Sequence, residues 1–227
     1  MTIHAVQAQS PRQRILALLV SMGLKVEKTL DQSITALLHS HTHAAAGAVE
    51  NVLSIQELEA AVDDAVFGAL QSGDLPSSDV AHTTSVVNIS KSLSRLAKLA
   101  ASLGNKVGQV GEHCDQEDFS RLQPLAIAVS HLCRQTLRAL NHHDPVLARN
   151  AAAGSTTVDT YRDYVFRELR DPARTTSEQN RHLLFASRCL EQIADPASEL
   201  AENLVIFLGP GAPFRCSSPE NRRRVAC

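Results

Sequence analysis

Apolar residues recur every three or four positions along most of this chain, and that spacing places them on one face of an α-helix. The first such stripe follows Pro11, a residue suited to the first turn of a helix, and continues to Leu38. Segments rich in glycine, proline and serine, such as residues 71–78, interrupt the pattern and indicate loops. The pattern predicts six helices and no strand, at about residues 11–38, 44–70, 79–110, 118–140, 145–169 and 173–208.

The helical pattern repeats itself after about a hundred residues. At this shift, the segment 93–98 aligns with 190–195, and Met22 of the first helix aligns with Leu125 of the fourth. Each half is therefore predicted to form three helices with short connections, and short connections make neighbouring helices antiparallel. The predicted fold is all-α, with two tandem three-helix bundles at residues 10–112 and 116–209, and a disordered basic tail at 210–227.

Composition narrows the class of protein. The 227 residues carry a formal net charge of −2, so they lack the basic excess of a nucleic-acid-binding protein. No apolar stretch approaches the roughly 20 residues of a membrane span, and the apolar run 15–24 has no cleavage site of the kind that follows a signal peptide. The five cysteines include no CxxC pair, which argues against a disulfide framework or a structural zinc site. A cytoplasmic protein is predicted.

Residues 190–202, LEQIADPASELAE, resemble the signature of the PhoU family of phosphate-uptake regulators, which reads roughly LERIGDHATNIAE. The segments 22–30 and 139–148 resemble the family's first helix and the junction into its fifth helix, and the resemblance covers residues 10–209. It implies two three-helix bundles and a cytoplasmic, homodimeric regulator. The partners it implies are the ATPase subunit of a phosphate ABC transporter and a sensor histidine kinase, which the protein would link in phosphate homeostasis.

The resemblance also implies a metal motif, Glu/Asp-x-x-x-Asp, on the third helix of each repeat. The second copy is present as Glu191 and Asp195, whereas Ser94 and Lys98 occupy the slots of the first copy. A divalent metal ion or iron at Glu191 and Asp195 is therefore the one cofactor considered, and no other is predicted. Taken as a helix alone, the same acidic residues favour a solvated face over a metal site, and the resemblance makes the two interpretations about equal.

Histidines cluster at two helix junctions. His39, His41 and His43 alternate in sequence, but across a helix end only the first and third would share a face. His142 and His143 occupy the equivalent junction of the second repeat. Because no thiol or carboxylate accompanies the first cluster, polar loops are favoured over zinc sites.

No phosphate loop, nucleophile elbow, HExxH or dinucleotide fingerprint occurs, so an enzyme is not predicted. Two hypotheses from different classes follow. The first is an adaptor that regulates phosphate uptake and phosphate-responsive signalling by protein–protein contact, and a variant of it is a similar module that serves another transporter. The second is a carboxylate-rich helical metal-binding protein, although the Glu-x-x-His pairs of di-iron bundles are missing.

Overall fold

The computed structural model describes residues 10–39, 48–73, 80–110, 120–169 and 177–209. Across these ranges the backbone is helical almost throughout and forms no strand, which confirms the predicted all-α fold. The helices of the described ranges are α1 (Pro11–His39), α2 (Ala48–Gln71), α3 (Val80–Val110), α4 (Gln123–His142), α5 (Pro145–Ala153), α6 (Ser155–Leu169) and α7 (Ser177–Phe207). The tail 210–227 lies outside the described residues.

The second half of the chain shows two interruptions that the sequence-based prediction lacked. The expected start of the fourth helix, residue 118, lies outside the described residues; Ser120 is helical, residues 121 and 122 form a turn, and α4 begins at Gln123, where a proline occupies its first turn. The predicted fifth helix is divided at Gly154 into α5 and α6. The Gly154 amide donates to the carbonyl of Ala151, three residues earlier, rather than to the residue four earlier. Glycine also has the lowest helix propensity after proline, so the division falls where a continuous helix is weakest.

The helices pack as two groups that lie side by side, α1 to α3 in one and α4 to α7 in the other. In the first half α1, α2 and α3 contact one another, and in the second half α4 and α7 contact both α5 and α6. The halves meet where α3 lies against α7 and α1 lies against α4. Thus α1, α3, α4 and α7 form a central group of four, with α2 covering one side and α5 and α6 the other.

The central pairs are antiparallel. Arg134 near the middle of α4 contacts Asp31 late in α1, with Nη2 and Oδ1 2.9 Å apart. Further along α4, Leu140 lies against Gly23, which comes earlier in α1. A Cβ atom on Gly23 would lie 3.1 Å from Leu140 Cδ2, so a residue without a side chain lets these helices approach closely.

The buried apolar residues of both halves belong to one continuous cluster. It includes the stripe that the periodicity predicted in α1, from Ile15 to Leu37, and its counterpart in α7, from Leu183 to Leu204. Burial of such stripes from water supplies most of the stabilisation of a helical bundle. In the part of the chain that the structure describes, none of the helices combines the length and the apolar character needed to cross a membrane.

Candidate functional site

Four carboxylates lie along one side of α7 and form what we call the acidic stripe: Glu191, Asp195, Glu199 and Glu202. The first three are spaced by four residues, which places them on neighbouring helical turns. Glu191 is half-buried, and the other three are exposed. Carboxylates stacked in this way repel one another unless a positive charge lies nearby.

An arginine of α3 supplies a positive charge next to Glu199 of the stripe. Arg95 Nη1 lies 3.4 Å from both carboxylate oxygens of Glu199. One turn further along α7, the Asn203 side chain donates to the Glu199 backbone carbonyl at 2.7 Å, and its Oδ1 accepts from Asn88 Nδ2 at 3.3 Å. The side chains of Arg95 and Glu199 are 52% and 54% exposed, so the pair neutralises charge and contributes at most about 1 kcal/mol of stability.

These contacts line an open polar cleft between α3 and α7. The cleft has a volume of about 360 Å³. Its walls are Asn88, Lys91, Ser92, Arg95, Glu199 and Asn203.

Glu191, the first carboxylate of the stripe, interacts electrostatically with an arginine of α6. Partial burial lowers the pKa of Arg162, but its hydrogen bond to Asp163 and the charges of Asp159, Asp163 and Glu191 raise that pKa overall. The Arg162 guanidinium contacts Asp159 at 2.8 Å. Because Glu191 contributes to this electrostatic environment, it lies in the positive field of Arg162 rather than among carboxylates alone.

The structure allows a test of whether these residues fit the metal motif that the resemblance implies. Glu191 and Asp195 lie on consecutive turns of α7, as predicted. In the first repeat Ser94 is buried and Lys98 is exposed, and Lys98 forms no ion pair with another described residue. Across the described ranges, no three histidine, cysteine, aspartate or glutamate side chains come together as a metal-binding group. The residues present therefore do not fit a multi-carboxylate cluster.

The histidines of the second junction take part in local structure. His143 has a positive φ of 52° and ends α4, where its amide donates to the Leu140 carbonyl. Asp144 begins α5: its Oδ1 accepts from the amides of Val146 at 2.7 Å and Leu147 at 3.2 Å. This is a tight turn between two helices, as the polar-loop interpretation predicts. His41 and His43 lie outside the described residues, and so does the side chain of His39.

Two cysteines, Cys133 and Cys189, are buried as free thiols. Burial, with a further contribution from Asp31, raises the pKa of Cys133 to about 12. Burial also raises the pKa of Cys189, although Lys106 partly offsets it. Neither thiol is a nucleophile near neutral pH, because the thiolate is the reactive form.

Sequence reasoning missed Arg95 and Arg162 as the cations of the acidic stripe. Each is an ordinary exposed or half-exposed position of an amphipathic helix. The periodicity of α3 does place Arg95 away from the apolar face of its own helix. That periodicity does not indicate that Glu199 of α7 lies opposite Arg95.

Comparison with known proteins bears on the whole chain. A family model described as the PhoU domain matches residues 19–107. A protein of Zymomonas mobilis named phosphate-specific transport system accessory protein PhoU homolog is 28% identical over 200 residues, which are 86% of this chain and 83% of that protein. A protein of the same name from Pseudomonas aeruginosa is 26% identical over 206 residues, which are 87% of this chain and 83% of that protein.

The fold comparison agrees. The crystal structure of PhoU from Pseudomonas aeruginosa matches with a TM-score of 0.75 and 25% identity, covering 86% of this chain and 94% of that one. The phosphate transport system regulatory protein PhoU from Streptococcus pneumoniae matches with a TM-score of 0.70 at 17% identity, covering 88% of this chain and 95% of that one, and this likeness concerns the fold.

Proposed function

The chain belongs to the PhoU family, and from that membership we propose that it is a regulator of phosphate uptake that acts in the cytoplasm as an adaptor. Its partners in this proposal are the ATPase subunit of a phosphate ABC transporter and a sensor histidine kinase. The role is regulatory rather than catalytic, as in the accessory proteins that it resembles.

One observation carries the proposal. The relatives named as accessory proteins of the phosphate-specific transport system align with both halves of the chain, and not with a single bundle. A function that depended on one bundle would require the likeness to be concentrated there. Regulation by an adaptor needs two separate surfaces on one rigid body, and a core shared by both halves supports such a body.

The mechanism follows from exposed helix faces. Large apolar side chains are exposed on outward faces of α2, α4 and α6, for example Phe67, Ile127 and Tyr164. Exposed apolar side chains with polar neighbours are typical of protein contact sites. Phosphate status would change the relative affinity of two partners for these faces, and the populations of the two complexes would shift accordingly.

Deletion of the gene tests the regulatory role. In phosphate-rich medium, we expect the deletion strain to take up phosphate and to express alkaline phosphatase at levels normally seen under starvation. The matched control is the same strain carrying the intact gene on a plasmid, which restores repression. Normal repression in the deletion strain, with altered uptake of a different solute, would instead identify a module that serves another transporter.

Binding by purified proteins tests the adaptor mechanism separately. The full chain is immobilised, and the transporter ATPase subunit and the cytoplasmic part of the kinase are passed over it one at a time. We expect measurable binding of each. A deletion phenotype without either interaction would keep the regulatory role and remove the adaptor mechanism.

A further inference from the structure

The outward face of α2 combines exposed apolar side chains with carboxylates. Leu53, Glu57, Ala60, Asp64 and Phe67 follow one another at spacings of three and four residues and form a single stripe, which we call the α2 face. All five are exposed, with 58% exposure at Leu53 and 63% at Phe67. The opposite side of α2, which includes Ile55, Val62 and Val66, is buried against α1 and α3.

The α2 face is also negatively charged, and α2 contains no basic side chain that could balance that charge. Among the described helices, α2 is the one that contains neither lysine nor arginine. Some acidic side chains of other helices have an arginine within reach, as Asp31 has Arg134 and Glu199 has Arg95. Neither Glu57 nor Asp64 forms an ion pair with another described residue.

Exposed leucine and phenylalanine at the two ends of a stripe, with carboxylates between them, specify the chemistry of a complementary surface. We propose that the α2 face docks a helical segment of a partner protein in which lysine or arginine side chains alternate with apolar ones. The apolar residues of that segment would cover Leu53 and Phe67, and its cations would face Glu57 and Asp64. Removing charge from water at such a contact requires an opposite charge, and α2 itself supplies none.

The dimensions suit a helix. Phe67 lies fourteen positions after Leu53, which corresponds to about 21 Å, or four turns, along the axis. Ala60 lies at the midpoint of the stripe, and its small side chain lets a second helix approach the backbone there. A partner segment of about four turns therefore spans the whole α2 face.

This inference rests on the proposed function, because it assigns one adaptor surface and the chemistry of what binds there. It is tested in living cells by replacing Phe67 with the photo-crosslinking amino acid p-benzoylphenylalanine in the full chain. After irradiation in phosphate-rich medium, the crosslinked peptide is identified by mass spectrometry. We expect one dominant adduct, to a segment with an excess of lysine and arginine and with apolar residues at helical spacing. The same crosslinker at Ile127 of α4, which is 53% exposed, should not yield this adduct.

Matched charge variants test the contribution of the carboxylates. Glu57→Gln/Asp64→Asn raises the net charge by two, and Asn150→Lys/Thr157→Lys raises it equally at exposed positions of α5 and α6. We expect the first pair to lower the crosslink yield about fivefold, as the loss of two exposed charge pairs implies, and the second to leave it unchanged. Circular dichroism spectra that match wild type show that each variant is folded.

The outcomes separate this inference from the proposed function. An adduct within the transporter ATPase or the kinase supports both, and a basic segment of an unrelated protein supports the α2 face while showing that neither proposed partner binds there. No adduct, an adduct to an acidic or neutral segment, or a yield that Glu57→Gln/Asp64→Asn leaves unchanged overturns the α2 proposal alone. An adduct to a second copy of this chain also overturns it, and sedimentation velocity of the wild type and the variant then measures the dimer.

Discussion

At the scale of single residues, the junction between α4 and α5 shows how two side chains end one helix and begin the next. His143 takes up a left-handed backbone conformation after α4, and Asp144 accepts two amide hydrogen bonds at the start of α5. The first amides of a helix have no partner within the helix, so a capping carboxylate satisfies donors that would otherwise face only water. The direction of the chain between these helices therefore depends on two adjacent residues.

Asp144→Ala removes this cap. We expect it to lower the free energy of unfolding by about 1 kcal/mol, because two amides lose their acceptor and alanine caps poorly. Urea denaturation followed by circular dichroism measures the change. Asp144→Asn is the matched control and should lose much less, since its side-chain oxygen still accepts. Equal losses in the two variants would show that the charge of Asp144, and not its capping geometry, stabilises the junction.

His143 makes stability depend on pH. Burial, and secondarily the charge of His142, lowers the pKa of His143 from its ordinary 6.5. Below pH 6.5 the imidazole of His143 is protonated in the unfolded chain more readily than in the folded chain. The folded state is therefore at its full stability above pH 6.5 and loses stability as the pH falls. We expect a decrease in melting temperature on acidification that is smaller in His143→Asn, because asparagine tolerates the positive φ and does not titrate. Identical pH profiles for the two proteins would contradict this.

At the scale of secondary-structure elements, α7 contains an internal proline. Pro196 is buried near the middle of a helix of 31 residues. Proline lacks the amide that would donate to the carbonyl of Gln192, and its ring crowds the preceding turn. The helix nevertheless continues to Phe207, because its apolar stripe is buried from Leu183 to Phe207.

Pro196→Ala restores the missing hydrogen bond. We expect a higher melting temperature, with a gain of about 1–3 kcal/mol that corresponds to a few degrees at this chain length. Differential scanning calorimetry measures the change. Ala197→Pro, one position along, is the contrasting variant and should unfold at a markedly lower temperature. A fall in the melting temperature of Pro196→Ala would mean that burial of the proline ring outweighs the restored bond.

The approach of α1 to α4 gives a second prediction at this scale. Gly23 leaves room for Leu140, and Asn141 Oδ1 lies 3.3 Å from the place of an added Cβ. We expect Gly23→Val to destabilise the protein by about 1–3 kcal/mol, because a branched side chain forces the two central helices apart. Gly68→Val, on the exposed side of α2 where an added Cβ meets nothing within 4 Å, is the control, and chemical denaturation compares them. Equal stability losses would attribute the effect to helix propensity instead of packing.

At the scale of the whole molecule, charge is distributed unevenly over the helices. The α3 and α7 surfaces neutralise each other through Arg95 and Glu199, whereas the α2 face carries negative charge with no cation on its own helix. The pairing of Arg95 also removes Glu199 from the carboxylates available to a metal ion.

The metal hypothesis remains a prediction at this scale. We expect at most one weakly held divalent ion for each chain, at Glu191 and Asp195, since hard oxygen ligands bind such ions but two are few. Elemental analysis of protein purified without chelators checks it, with Glu191→Ala/Asp195→Ala as the variant that should lose the ion. Arg95→Gln is the matched test of compensation and should increase the metal content by freeing Glu199. Several tightly held ions in the unaltered protein would contradict the expectation.

The sequence by itself determined the helical class and the apolar stripes. These are local properties, because apolar residues that recur about every 3.6 positions within one segment, such as those from Ile15 to Leu37, form one face of a helix. The family resemblance likewise rested on continuous segments, of which residues 190–202 are one. The positions of Glu191 and Asp195 on consecutive turns followed from spacing alone.

Only the tertiary structure decided which helices meet across the repeats. That Arg95 reaches Glu199, more than a hundred positions away, depends on the register between α3 and α7, and no periodicity within either helix specifies it. The division of the fifth helix at Gly154 and the uncompensated α2 face are of the same kind. Whether a glycine interrupts a helix, or a carboxylate stays unpaired, depends on competing contacts with neighbouring elements, which exist once the helices have packed.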